Sequence, residues 1–178
     1  TFGDSLTSIG DFAFNGCIGL TSLTLPNSLT SIGQQAFRNC SSLTSIDLPN
    51  SLTSIGSDAF RNCSGLTSID LPNSVTTIGN GTFAGCSGLT SVTLGDSLTS
   101  IANNAFRDCS ALTSLTLPNS LTSIANYAFQ NCTSLEEVIV AWDTPITITT
   151  NVFFELTLSD ITLKVPEGEI ATYEAAAV

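Results

Sequence analysis

The chain contains no histidine among its 178 residues, which removes the usual activator of a serine nucleophile and the commonest protein ligand of zinc. The cysteines form no Cys-x-x-Cys pair either, so a zinc site of the usual spacing is excluded. Glu136 and Glu137 are the nearest approach to a catalytic carboxylate pair, but neighbours on a strand point to opposite faces. We therefore predict no catalytic site, no metal site and no cofactor, and we expect that the chain is not an enzyme.

Positive charge is scarce, since the only cationic side chains are Arg38, Arg61, Arg107 and Lys164, and the net charge is −11. Binding to nucleic acid requires Lys and Arg groups that neutralise phosphates. Anionic membrane surfaces attract basic segments for the same reason. We therefore expect neither a nucleic-acid partner nor binding to an anionic membrane.

Long apolar runs are also missing, so we predict no membrane insertion. The sequence shows no signal peptide and no starting Met, and it opens in the middle of a repeated unit. We expect it to be a piece of a longer protein or a mature form. Its apolar fraction of 42% is sufficient for a continuous core.

What the chain does have is a 23-residue unit, copied with starts at Leu20, Leu43, Leu66, Leu89 and Leu112. A short apolar unit that cannot bury its own core must stack on its neighbours, so this period predicts a solenoid. We divide the chain into a solenoid, residues 1–156, and a C-terminal cap, residues 157–178. The solenoid comprises a partial copy at 1–19, full copies at 20–134 and a degraded copy at 135–156.

One copy shows how the unit is expected to fold. Leu23-Thr24-Leu25 alternates as a strand with one face inside, and the proline that follows ends the strand. The segment 29–32 is a second extended stretch on the opposite side of the coil. Ala36, Phe37 and Cys40 have the i, i+1, i+4 spacing of one helical face, so we predict a short helical turn there.

Two further columns repeat with the same period. The serines are expected to satisfy backbone groups in turns as a structural hydroxyl ladder, and the cysteines to be buried free thiols that act as small apolar residues. The serine column contains Ser5, Ser28, Ser51, Ser74, Ser97 and Ser120. The cysteine column contains Cys17, Cys40, Cys63, Cys86, Cys109 and Cys132.

The opening pattern Leu-x-x-Leu-x-Leu and the closing pattern Ala-Phe-x-x-Cys of each copy resemble the BspA-like (Treponema pallidum type) leucine-rich repeat. Residues 161–175 are similar to a closing segment common in such bacterial proteins. The resemblance implies a right-handed leucine-rich-repeat solenoid, of the α/β class, with a continuous parallel β-sheet and short helical turns. It also implies a non-catalytic, extracellular or cell-surface interaction module, most often an adhesin, whose partner is an extracellular or host protein.

In leucine-rich repeats the strand after the opening leucine lines the concave surface, which is the usual binding face. The candidate binding residues are the outward positions of that strand: Ser22, Thr24, Ser45, Asp47, Ser68, Asp70, Ser91, Thr93, Ser114, Thr116 and Glu137. They are small and hydroxylated, and they lack the Tyr, Trp and Arg anchors of tight interfaces, so weak multivalent contact is expected. Asp47 and Asp70 share one slot in adjacent copies and are read as solvated carboxylates or, alternatively, as ligands of a cation such as calcium.

Two alternative functions remain open. A structural spacer would hold another domain away from a cell surface. Ice binding would use the lattice of hydroxyl and methyl groups on the convex strand. Its columns are Thr7, Thr30, Thr53, Thr76, Thr99 and Thr122, and beside them Ser8, Ser31, Ser54, Thr77, Ser100 and Ser123.

The two ends of the solenoid are expected to differ. At the C-terminal end, residues 161–165 alternate as a strand, residues 169–177 have helix-forming composition, and Trp142 marks a bulkier last coil. A cap there would cover exposed apolar surface and an unpaired edge. No such cover precedes the first coil. The N-terminal end is therefore the expected site of any self-association.

Overall fold

Each of the five full copies contributes two short strands, which pair only in parallel and in a register that repeats every 23 residues from Ser8 to Val140. The computed structural model describes residues 2–142, 145–146, 148 and 151–167. One set of strands, which we call the back column, comprises β1 Ser8–Ile9, β3 Ser31–Ile32, β5 Ser54–Ile55, β7 Thr77–Ile78, β9 Ser100–Ile101 and β11 Ser123–Ile124. The other set, the front column, comprises β2 Ser22–Leu23, β4 Ser45–Ile46, β6 Ser68–Asp70, β8 Ser91–Thr93, β10 Ser114–Leu117, β12 Glu137–Val140 and β13 Thr162–Lys164.

The parallel solenoid is confirmed, but the pairing is interrupted where a continuous sheet was expected. The back column divides into the ladders β1-β3-β5 and β7-β9-β11, and the front column into β2-β4, β6-β8 and β10-β12-β13. The strands are two to four residues long, so each pairing depends on very few hydrogen bonds. A small displacement between two coils is therefore enough to break a ladder.

The core is a set of side-chain columns that run through the stack. Phe37, Phe60, Phe83, Phe106 and Phe129 are completely buried. Their rings stack with centroids 5.2–5.5 Å apart and nearly parallel planes. Phe14 continues the column at 5.2 Å from Phe37 but is only partly buried, since it lies in the first coil. The phenylalanine column therefore forms a continuous part of the core through the inner coils.

The predicted helical turns are wrong, because the described residues contain no α-helix and only one 3-10 turn, at Leu158–Asp160. Backbone amides in the segment after the back strand alternate between two kinds of partner. Phe37 donates to Ala59 of the next coil at 2.8 Å, whereas Arg38 donates to Gln35 of its own coil at 3.2 Å. An α-helix would satisfy both amides internally, so the segment, which we call the turn edge, uses half of its amides to join the coils.

Backbone dihedrals show why a helix cannot form on the turn edge. Two slots in each coil have a positive φ, which belongs to the left-handed region and ends a right-handed helix. The first slot holds Phe12, Gln35, Asp58, Gly81, Asn104 and Tyr127. The second slot holds Gly16, Asn39, Asn62, Gly85, Asp108 and Asn131, which are all residue types that tolerate this conformation.

The serine ladder is confirmed for Ser28, Ser51, Ser74 and Ser120. Ser28 Oγ donates to the Leu6 carbonyl oxygen and Ser51 Oγ to the Leu29 carbonyl oxygen, both at 2.6 Å. These four serines therefore each supply a partner to a carbonyl of the preceding coil that the strands leave unpaired. This satisfies buried backbone groups without a strand ladder.

Five of the six free cysteines are buried as predicted, but the sixth, Cys17, is exposed because no coil of this chain covers its side of the first coil. The buried thiols also donate hydrogen bonds, which the apolar interpretation missed; Cys63 Sγ donates to the Phe37 carbonyl oxygen at 3.1 Å. Burial raises the pKa of Cys86 to about 12 and that of Cys132 to about 12. These thiols therefore stay protonated and unreactive at neutral pH.

At the C-terminal end, β13 pairs in parallel with β12, and Phe153 stacks on Phe129 at 5.6 Å. Trp142 is buried and its Nε1 donates to the Pro118 carbonyl oxygen at 3.0 Å. Leu163 of β13 remains 54% exposed. The predicted helix at 169–177 lies outside the described residues, so the boundary between solenoid and cap stays a prediction.

Candidate interaction surface

The outward side chains of the front column form a polar surface, which we call the front face. Ile46, Ile69 and Leu115 point into the core, and their strand neighbours alternate to the outside. All candidate binding residues from the sequence lie on this surface. Each of them is exposed except Glu137, which is half-buried.

The strand register brings some candidate residues directly beside one another. Ser22 is the partner of Ser45, and Ser114 is the partner of Glu137. Asp70 stands beside Thr93. The candidate residues therefore form rows across the coils, which is the arrangement that an extended partner or a flat protein surface would contact.

A concavity on the front face lies between the coils that carry Asp47 and Asp70. It has a volume of about 190 Å³ and is lined by Ser45, Ile46, Asp47, Leu48, Ser68 and Asp70. The lining offers two carboxylates and two hydroxyls, which are acceptors for a cationic or hydrogen-bond-donating group. Within the described residues, no group of three or more His, Cys, Asp or Glu side chains could hold a metal ion, so calcium would find only two carboxylates here and would take its remaining oxygens from hydroxyls and water.

At β12 and β13, the front face carries an ion pair and an apolar side chain. Glu137 forms an ion pair with Lys164, and Ile139 lies beside both Thr116 and Lys164 in the register. The sequence did not predict this ion pair. The apolar and polar alternation of residues 161–165 predicts a strand, but it does not identify the strand with which they pair.

Threonine hydroxyls bond to the backbone on both columns, which the sequence did not predict. On the front column, Thr44 Oγ1 donates to the Thr21 carbonyl oxygen at 3.2 Å; on the back column, Thr53 Oγ1 donates to the Thr30 carbonyl oxygen at 3.1 Å. A hydroxyl has one hydrogen to donate. The back-column threonines that make these bonds therefore present acceptor oxygens and methyl groups to solvent, and not free hydroxyl donors.

The turn edge carries the three arginines. Arg61 and Asp58 form the ion pair that their spacing predicts, at 3.2 Å, and Arg107 pairs with Asp108 at 3.4 Å. Arg38 Nη1 donates to Gln35 Oε1 at 2.9 Å. The paired arginine side chains are nearly half exposed, so these ion pairs contribute little to stability.

No helix within the described part of the chain has the length and apolarity needed to cross a bilayer. A family model described as "BspA type Leucine rich repeat region", with six copies, matches residues 1–110 and 53–173. A search of the curated proteins finds no match.

Solved structures of bacterial leucine-rich-repeat proteins resemble the chain over most of its length. A leucine-rich repeat protein from Bacteroides ovatus is 26% identical, with a TM-score of 0.70 over 94% of this chain and 56% of its own. A leucine-rich cell surface protein from Faecalibacterium prausnitzii is 30% identical, with a TM-score of 0.59 over 85% and 48%. The Treponema pallidum leucine-rich repeat protein is 30% identical, with a TM-score of 0.50 over 75% and 52%. The chain therefore spans about half the length of these solved chains.

Proposed function

The chain belongs to the BspA-type leucine-rich-repeat family, and on that premise we propose that it is a non-catalytic protein-interaction domain that binds its partner through the front face. One observation carries the proposal. The front face keeps an exposed row of small polar side chains from coil to coil, while the inward residues of the same strands are buried.

The finer proposal is an adhesin-type role outside the cell or at its surface, against an extracellular or host protein. The Faecalibacterium neighbour, described as a cell surface protein, supports the location. The composition of the front face supports the mode of binding. Its candidate positions hold Ser, Thr, Asp and Glu and no aromatic anchor, so a single copy should bind weakly and clustered copies strongly. Linked sites raise overall avidity by roughly 10²–10⁴-fold without new contacts.

The test compares a soluble monomer with the same chain clustered on beads, against immobilised fibronectin, laminin and collagen. We expect measurable binding of the beads to at least one of these proteins and weak binding of the monomer. Thr93→Arg on the front face should abolish bead binding by adding a bulky charge to the contact surface. The matched control is Thr76→Arg, an exposed threonine on the back side of the coil before it, which should leave binding unchanged.

Two results would contradict the proposal. Absence of binding in both formats would favour the spacer. Binding lost only in Thr76→Arg would move the contact to the back column and favour the hydroxyl lattice as the functional surface.

A further inference from the structure

The coils of residues 43–65 and 66–88 meet at an unusual junction. The back ladder ends at β5 and restarts at β7, and the front ladder ends at β4 and restarts at β6. Among the coils that the structure describes from β1 to β12, this is the one junction at which neither column is paired. Every other junction between two successive coils keeps at least one ladder.

Distances show that the junction is looser on the strand side. The front strands keep one longer hydrogen bond, in which the Thr67 amide donates to the Thr44 carbonyl oxygen at 3.3 Å, whereas the Thr90 amide donates to the Thr67 carbonyl oxygen at 2.9 Å. On the back column, a Cβ atom added to Gly56 would lie 2.5 Å from the preceding coil, but one added to Gly79 would have no atom nearer than 3.4 Å. The spacing at the back strands is therefore wider at this junction than at the one before it.

The turn edge holds the same two coils together. The Phe60 amide donates to the Thr82 carbonyl oxygen at 2.9 Å, and Cys86 Sγ donates to the Phe60 carbonyl oxygen at 3.2 Å. The Phe60 and Phe83 rings remain stacked at 5.5 Å. The coils are thus closed along the turn edge and the core, and spread apart at the strands.

Two carboxylates lie on the front side of this junction. Asp47 and Asp70 occupy the same slot of these two coils, and like charges in directly opposed positions destabilise strand pairing. Within the described front face, the one cation is Lys164, which lies at the far end and pairs with Glu137. No cation of the described front face therefore compensates the two aspartates.

We propose that this open junction receives one arginine side chain of the protein partner, held between Asp47 and Asp70. The inference rests on the proposed function, since it names the chemistry that the front face recognises. A guanidinium group has five donors in a planar fork and bonds two carboxylates at once, which a spherical ammonium group does less well. The volume of about 190 Å³ lies below the range of small-molecule pockets and suits a single side chain.

The experiment titrates the isotope-labelled full chain with N-acetyl-arginine amide and follows backbone amide shifts by NMR. We expect saturable shifts centred on Ser45, Asp47, Leu48, Ser68 and Asp70. N-acetyl-citrulline amide, which has the same shape without the charge, should produce none. The double variant Asp47→Asn with Asp70→Asn should weaken binding about tenfold or more, as expected for the loss of two charged contacts. The control, Asp4→Asn with Asp96→Asn, makes the same change in net charge at exposed sites outside the lining of the cavity and should keep the shifts.

A second readout does not depend on a ligand. The Asp47→Asn and Asp70→Asn double variant should melt at a higher temperature than the wild type at low ionic strength, and the difference should shrink in high salt. An unchanged or lower melting temperature at low salt would show that the two carboxylates do not repel each other, and would remove the basis of the proposal.

Other outcomes overturn the inference while leaving the proposed function intact. These are shifts that spread over all acidic residues, shifts that survive in the Asp47→Asn and Asp70→Asn variant, and shifts produced by calcium chloride but not by the arginine compound. In each case bead binding that is lost in Thr93→Arg would still support the front face. Conversely, localised arginine binding without any bead binding would separate the local chemistry from the proposed adhesive role.

Discussion

Replacement of Phe83 by alanine should remove a large part of the stability of the stack. The ring is completely buried and stacks on Phe60 at 5.5 Å and on Phe106 at 5.2 Å. Truncation of a buried phenylalanine to alanine costs about 3–5 kcal/mol, and loss of two ring contacts places this site in the upper part of that range. The neighbouring junction lacks both strand ladders, so no ladder there compensates for the lost ring.

Two matched variants calibrate this value. Phe14 is half-buried in the first coil and has one stacked neighbour, so Phe14→Ala should cost about 1–2 kcal/mol, in proportion to the apolar area it buries. Phe12 is 53% exposed and has a positive φ of 59°. Phe12→Ala should therefore change the free energy of unfolding by less than about 0.5 kcal/mol.

The assay is urea unfolding followed by two signals. Circular dichroism reports on all coils, whereas the fluorescence of Trp142, the only tryptophan, reports on the C-terminal coils. Since each repeat is stabilised mainly by its neighbours, a central defect should uncouple the two halves, and the two transitions of Phe83→Ala should separate. A loss below about 1 kcal/mol, or coincident transitions with a uniform shift, would refute this account of the core.

The remaining predictions concern thiols, the serine ladder and the C-terminal strand. A thiol reagent should label only Cys17 in the native chain and all six cysteines in denaturant, and labelling of a second native thiol would contradict the burial. Stability should fall as pH rises from 9.0 towards about 12, because burial raises the pKa of Cys86 and Cys132 to about 12 and the unfolded chain loses these protons first; a flat profile in urea titrations over this range would be inconsistent with that. Ser51→Ala should cost about 1 kcal/mol by leaving the Leu29 carbonyl without its hydroxyl donor, whereas Ser54→Ala at an exposed site should be near neutral. Deletion of residues 157–178 removes β13 and exposes the edge of β12, so we expect aggregation in light scattering, and a soluble chain of unchanged stability would oppose the cap.

The sequence predicted those features that repeat with the 23-residue period. The two strands per coil, the buried phenylalanine column and the Ser28-type hydroxyl ladder follow from apolar alternation and from one polar slot kept in each copy. The front-face residues followed as well, because side chains on a strand alternate between inside and outside. Such features depend on one coil and its identical neighbour, so the sequence of a single copy contains the information.

The turn edge shows where local pattern is insufficient. Ala36, Phe37 and Cys40 have the spacing of a helical face, but their backbone bonds run partly to the next coil. Side-chain spacing alone does not distinguish these two arrangements. The Gly, Asn and Asp residues of the second slot could have indicated a left-handed conformation, because these residue types tolerate it. Gln35 and Tyr127 in the first slot gave no such indication.

The junction between residues 43–65 and 66–88 was decided by the tertiary structure alone. The sequence placed Asp47 and Asp70 in one slot, yet it did not predict that both ladders end there or that a cavity opens between the coils. The strands are two to four residues long, so a small displacement between two coils decides whether a ladder forms. That displacement depends on contacts between neighbouring coils, such as ring stacking and turn-edge hydrogen bonds, and no single repeat contains this information.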